Sequence, residues 1–218
     1  MSSYIYMKIL ESQPHRYDKG IALMSLGGAE RCKRKLVEEN VQPGFRVLEI
    51  GCGTGTMAIL AARRGAEVLG FDVSEAMLDV ARGKIREAGL SHRIQVEEMG
   101  VSGMDKLASE SFDVVMSTLV FSELSGDERV YALRHAYRVL KTGGRLALAD
   151  EALPRTFLKR ALHGAVRIPL LIVTFALTQT TTSAVEGLRE LVAGAGFRSE
   201  REERSSLDSF LYLVATKE

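Results

Sequence analysis

The stretch Val47-Leu48-Glu49-Ile50-Gly51-Cys52-Gly53-Thr54-Gly55-Thr56 decides the fold of this 218-residue chain. Val47, Leu48 and Ile50 make a short apolar run suited to a parallel strand covered on both faces. Residues 57–62 then begin a run of strong helix formers. Between the two sit Gly51, Gly53 and Gly55. Without a Cβ, the backbone can turn tightly at Gly51 and Gly53 and admit a ligand close to the main chain. The helix that follows offers N–H groups with no partner of their own. An ordinary strand-to-helix turn would read the same way, so a ligand loop needs a second signal.

That signal is the next strand, residues 66–71, which ends in Asp72 about 20 residues past the glycines, where an acidic side chain can accept hydrogen bonds from both ribose hydroxyls. A dinucleotide loop reads G-x-G-x-x-G and sets a pyrophosphate on the helix end, whereas this one reads E-x-G-x-G-x-G with Glu49 on the strand. A carboxylate beside the loop repels a pyrophosphate and suits a ligand carrying an ammonium group. S-adenosylmethionine (SAM) therefore fits better than a nicotinamide dinucleotide.

Over residues 40–150 the chain resembles the class I SAM-dependent methyltransferases. The stretch 47–56 stands as that family's first motif, Gly70-Phe71-Asp72-Val73-Ser74 with Met77-Leu78 as its second, and Ser111-Phe112-Asp113-Val114-Val115 as the strand passing the adenosyl group. Residues 138–146 match the segment before the family's sixth strand, which is expected at 146–149 and ends in Asp150-Glu151. The resemblance implies SAM as cofactor, S-adenosyl-L-homocysteine as product, and no metal. It puts Asp72 on the ribose and Glu49, Gly51, Cys52, Gly53 and Gly55 at the methionine moiety, with Val73, Met77, Met99, Gly100, Val101 and Ser117 completing the cofactor-binding set. Many relatives carry Gly-Asp-Ala where Met99-Gly100-Val101 stand, the Asp accepting from the adenine amino group. Here Glu98 from next door, or backbone atoms near Met99 and Val101, must serve, or apolar packing alone holds the base. Ser122-Glu123 stand where many relatives carry a histidine pair bordering methyl transfer. Glu123 is thus a candidate base or substrate anchor, the alternative being a solvated carboxylate near a helix start.

The family's segment before the first strand folds over the SAM pocket. By that likeness residues 1–40 are lid helices, jointed at Gly27-Gly28, with Tyr17 and Asp18 as lid candidates and Tyr17 a second catalytic candidate. Equally, Tyr17 packs and Asp18 caps the following helix. Residues 8–12, 16–20 and 178–182 look like a subgroup described as corrinoid protein-associated methyltransferases, which implies a corrinoid protein as partner and leaves the acceptor open.

The rest of the chain follows one α/β domain over 1–218. Strands at 94–97, 112–117, 197–201 and 209–216 join those above, with helices at 57–64, 74–88, 127–140 and 185–193 between them, the last opened by Thr180-Thr181-Thr182-Ser183. Such alternation predicts a doubly wound, mostly parallel, seven-stranded sheet with helices on both faces, a Rossmann-like fold whose SAM-binding core spans 41–150. Residues 152–182 form an apolar helical insertion and 183–218 the closing helix and strands. The run 165–178 is too short for a bilayer and is broken by Arg167 and Pro169, so it is no transmembrane segment. It leaves the sheet at the ligand edge, which suits a roof over the acceptor. A core helix, a partner surface and interfacial membrane contact stay open.

Composition narrows the partners. A net charge of +1 supplies no field to gather nucleic acid, and Cys32 and Cys52 make neither a disulfide framework nor a metal-ligand pair. Residues 1–7 lack the order of a signal peptide, which makes the cytoplasm the expected compartment. The leading expectation is a methyltransferase acting by in-line displacement on a small or partly apolar acceptor. Its rival is a SAM-binding accessory protein docking on a corrinoid or redox partner. A nicotinamide-linked reductase is weakest, because the glycine spacing is wrong.

Overall fold

The computed structural model describes residues 28–151, 185, 187–204 and 210–218. Strands β1 (Arg46–Ile50), β2 (Glu67–Asp72), β3 (Ile94–Glu98), β4 (Phe112–Thr118), β5 (Leu140–Glu151), β6 (Arg198–Arg204) and β7 (Phe210–Thr216) form one seven-stranded sheet in the order β3-β2-β1-β4-β5-β7-β6. The first five strands run parallel, and β7 is antiparallel to both its neighbours. The strand expected at 146–149 is fifth along the chain, not sixth.

Because side chains alternate across a strand, the two apolar faces of the sheet draw on alternate residues. Val47, Val68, Val114, Met116 and Ala147 pack on one face beneath helices α1 (Gly28–Asn40), α2 (Thr56–Arg63) and α3 (Glu75–Glu87), through Leu36, Val37, Met57, Ala58 and Ala81. On the other face, Leu48, Ile50, Val115, Leu146 and Leu148 meet α4 (Gly126–Val139) and α5 (Leu188–Gly194), through Ala132, Leu133, Ala136 and Val192. Helices thus cover both faces, the doubly wound arrangement the strand–helix alternation implies. The topology reverses where β1 lies between β2 and β4, so the crevice at their carboxyl ends is where an open α/β sheet takes its ligand.

Two local expectations are corrected, and one helix start gains a detail. β5 begins at Leu140, directly after α4, because Leu140 already pairs with Phe112. The register then shifts, with Gly143 in a left-handed turn at φ 77° whose N–H donates to the Lys217 carbonyl. The Gly143-Gly144 pair, expected in the segment before the strand, lies within it, where its register is irregular. α4 opens on Ser125, whose hydroxyl accepts from the Glu128 N–H while the Glu128 carboxylate accepts from the Ser125 N–H. Glu128, an acid in the first turn, is therefore also half of a capping box. α5 starts at Leu188, three residues later than expected, because Gly187 holds φ 67°, which a helix cannot include.

The closing strand β6 carries its charges along the sheet margin, extending past the expected 197–201 through Glu202, Glu203 and Arg204. They pair with the flanking helices, Arg201 with Glu39 of α1 at 3.0 Å and Glu202 with Arg189 of α5 at 3.5 Å. Residues 1–27 of the expected lid, including Tyr17 and Asp18, lie outside the described residues. So do the insertion 152–182 with its run 165–178 and the helix-start signal at 180–183. No helix among the described residues is long and apolar enough to cross a membrane.

Candidate functional site

A cavity of about 650 Å³ opens at the carboxyl ends of β1, β2 and β4. Its volume falls within the roughly 300–1,000 Å³ usual for small-molecule sites. The floor is the glycine loop. Gly51 and Gly53 hold left-handed backbone at φ 68° and 49°, and both line the cavity. A Cβ on Gly51 would stand 2.2 Å from Val120 Cγ2, so the bare glycine is what lets the stretch after β4 close onto the loop. At Gly53 a Cβ would meet nothing within 4 Å, leaving the main chain open to a ligand. Lys84 of α3 donates to the hydroxyls of Thr54 and Thr56 at 3.1 and 2.9 Å, fastening the loop from below.

Asp72, at the end of β2, joins the loop to the next helix. Its Oδ2 accepts from the Gly53 N–H at 2.8 Å and its Oδ1 from the Ser74 N–H at 3.0 Å. Ser74 in turn caps α3 through its side chain. A carboxylate offers about four lone-pair positions, so such a group can accept from vicinal hydroxyls as well as from backbone N–H groups. Around it Val73, Met77, Met99, Gly100 and Val101 form an apolar wall, with Val73 well exposed at 59%.

The cavity therefore gathers Gly51, Gly53, Asp72, Val73, Met77, Met99, Gly100 and Val101 of the sequence-predicted set, together with Glu123. Its wall does not include Glu49, Cys52, Gly55 or Ser117. Cys52 packs against Gly70 of β2, where a Cβ would stand 2.9 Å from the cysteine's own. Gly55 lies against Ala81 of α3 at 3.0 Å by the same measure. The Ser117 hydroxyl donates to the Ile50 carbonyl at 3.0 Å, stitching β4 to β1. Glu98, considered for the adenine amino group, is exposed on β3 and also lies outside the wall.

Glu49 is the unusual member. It is 2% exposed, and its Oε2 has no hydrogen-bond partner among the described residues. Burial pushes its carboxyl up to about 8, with Asp72 adding to the rise while Lys33 and the Ala58 N–H oppose it. At neutral pH the group is mainly protonated, and a cation placed nearby would favour the ionised form. Since folding favours the protonated form, its contribution to stability is full below the ordinary value of 4.5 and is lost as pH rises through about 8. Wild-type protein is thus expected to lose melting temperature relative to Glu49→Gln as pH rises from about 5 to about 8. Parallel melting profiles for the two would remove Glu49 as the cause.

Sequence reasoning missed the wall contributed by Thr118, Leu119, Val120 and Leu124, and by Tyr131 of α4. Leu119 holds φ 63°, a left-handed conformation that costs a side-chain-bearing residue energy. Its N–H donates to the Ala149 carbonyl at 2.9 Å, and Ser122 N–H donates to the buried Asp150 carboxylate at 3.3 Å. Two ties from β5 thus hold the stretch that turns Val120 over Gly51. Only tertiary structure reveals this, although strand-end position after β4 was a signal available in the sequence.

The donor set fits SAM: a carboxylate placed for ribose, an open glycine main chain, an apolar slot for a base and a buried carboxyl with an unused oxygen beside the loop. Residues 47–144 match the family described as a methyltransferase domain. Methyltransferase GfsG of Streptomyces halstedii is 37% identical over 123 residues, which is 56% of this chain and 43% of that protein. The chain thus spans less than half the length of that relative. A demethylmenaquinone methyltransferase of Bacteroides fragilis is 27% identical over 219 residues, covering 92% of this chain and 87% of its own. Among solved structures, a SAM-dependent methyltransferase from Aquifex aeolicus shares the fold with a TM-score of 0.68 at 18% identity, over 95% of this chain and 98% of that one. None of these three is described with a corrinoid system, and that expectation gains no support from them. The domain match over residues 47–144 and the relatives support a SAM-dependent methyltransferase, and the shared fold agrees with them.

Proposed function

We propose that the protein transfers the methyl group of SAM to an uncharged, partly apolar acceptor, of which the reduced ring of a demethylated quinone is the leading example. One observation carries the acceptor class. Among the described residues the cavity is lined by apolar side chains, by the hydroxyl-bearing Ser102, Thr118 and Tyr131, and by the carboxylates of Asp72, Glu123, Asp127 and Glu128, with no Lys, Arg or His. Such a wall disfavours a phosphate-bearing acceptor and accepts an apolar ring. The Bacteroides relative, whose name specifies demethylmenaquinone, supports the example.

Bound SAM supplies a methyl carbon already activated by the sulfonium charge. The protein's own work is then alignment, exclusion of water and removal of a proton where the acceptor is a hydroxyl or an acidic carbon. Asp72 and the Gly51–Gly53 main chain orient the cofactor, while Leu119, Val120 and Leu124 form the apolar wall beside the loop. Glu123 follows Val120 by three residues and lines the same cavity, within its exposed rim. In this reading Glu123 takes the acceptor's proton.

Two measurements test this reading. S-adenosylhomocysteine should form faster with a demethylmenaquinol than with a prenyl diphosphate. Faster turnover of the anionic acceptor would overturn the class. Glu123→Gln should lower turnover about 10²-fold or more, the usual scale of a general base, with SAM affinity nearly unchanged. A variant that turns over at the wild-type rate returns Glu123 to the role of a solvated carboxylate.

A further inference from the structure

A ligand whose ribose sits on Asp72 and whose amino-acid end lies over Gly51 and Gly53 must extend its base in the other direction, along Val73, Met99 and Val101. Adenine carries an exocyclic amino group with two N–H donors, and an acceptor there converts an apolar slot into one that reads the base. The side chains of Val73, Met99 and Val101 offer no such acceptor, Gly100 has no side chain at all, and Ser102 offers only a neutral hydroxyl.

A carboxylate is present on the opposite wall. Tyr131 of α4 donates its hydroxyl to the Ser102 carbonyl at 3.1 Å, which pins the first turns of that helix beside the Val101–Ser102 end of the slot. Asp127 lies four residues before Tyr131, hence one turn earlier on the same stripe of the helix, and it lines the cavity. The other carboxylates of the wall are placed differently. Asp72 holds the Gly53 and Ser74 N–H groups, and Glu128 holds the Ser125 N–H at 2.8 Å within the capping box. Glu123 belongs to the stretch whose Val120 lies over Gly51, at the other end of the slot.

We propose that the Asp127 carboxylate accepts a hydrogen bond from the adenine amino group of bound SAM and so sets the base selectivity of this site. The proposal rests on the SAM-binding reading above and assigns a specificity-determining residue within it. The test is calorimetric and needs no acceptor. Affinities of S-adenosylhomocysteine and of its 6-deamino analogue, in which hydrogen replaces the amino group, are measured for wild type, Asp127→Asn and Asp127→Ala.

Wild type is expected to prefer S-adenosylhomocysteine about tenfold, the scale of one hydrogen bond to a charged acceptor in a partly open site. Asp127→Ala should bind the natural ligand only as tightly as the analogue, with the analogue's affinity unchanged. Asp127→Asn, which keeps an acceptor oxygen, should retain part of the preference. Absence of any preference in wild type overturns the assignment, as does full preference in Asp127→Ala. An equal loss for both ligands in Asp127→Ala also overturns it, because that is the signature of a disturbed helix start. Failure of wild type to bind either ligand would instead overturn the SAM-binding reading on which the assignment stands.

Discussion

Replacing Gly53 with valine is expected to lower affinity for S-adenosylhomocysteine by about two orders of magnitude or more while leaving the protein folded. The unliganded chain tolerates the new side chain sterically, because a Cβ there meets nothing within 4 Å. That same emptiness faces the cavity, so the branched side chain occupies ligand space. At φ 49° an L-residue adds strain of roughly 1–2 kcal/mol, and in a chain of this length that lowers the melting temperature by only a few degrees. Gly51→Val should do the reverse, since its Cβ would strike Val120 at 2.2 Å and unsettle the protein with no ligand present. Calorimetry and melting curves on the two variants separate these effects. Wild-type affinity in Gly53→Val would place the ligand away from the loop.

Asp72→Ala carries the second large effect, and it acts on two quantities at once. Loss of a carboxylate that grips ribose hydroxyls removes charge-assisted hydrogen bonds worth roughly 1.5–3 kcal/mol, or about 10- to 100-fold in affinity. The same substitution strips the acceptor from the N–H groups of Gly53 and Ser74, each costing about 1–3 kcal/mol where water cannot replace it. Stability should therefore fall together with affinity. Asp72→Asn, retaining one acceptor oxygen, should recover part of the stability and less of the binding. Unchanged affinity in Asp72→Ala would remove the ribose assignment.

The elements that local chemistry determines were legible in the sequence. An apolar run feeding Gly51, Gly53 and a helix-forming stretch allows few alternatives, and Ser74 as a cap followed by Gly89 brackets a helix whose ends it specifies. What escaped was set by partners distant in the chain. Leu140 joins a strand because Phe112 lies opposite, and no property of Leu140 announces that. Cys52 and Gly55 sit in the loop by sequence, yet one turns to Gly70 and the other to Ala81, leaving Gly51 and Gly53 to line the cavity. The wall from Thr118 to Leu124 depends on a left-handed Leu119, a conformation that side-chain chemistry argues against and that the ties to Ala149 and Asp150 impose.

The margins of the sheet bear on how the protein behaves at high concentration. β3 at one margin carries Gln95, Glu97 and Glu98, and β6 at the other is charged at six of its seven positions, Arg198, Glu200, Arg201, Glu202, Glu203 and Arg204. An unpaired margin is a template for strands of other molecules, and a row of charges makes such docking costly. Self-association by continuation of the sheet from copy to copy is thereby disfavoured, which protects the protein against fibrillar aggregation. Because the protection is electrostatic, it weakens as added salt shortens the range of those charges.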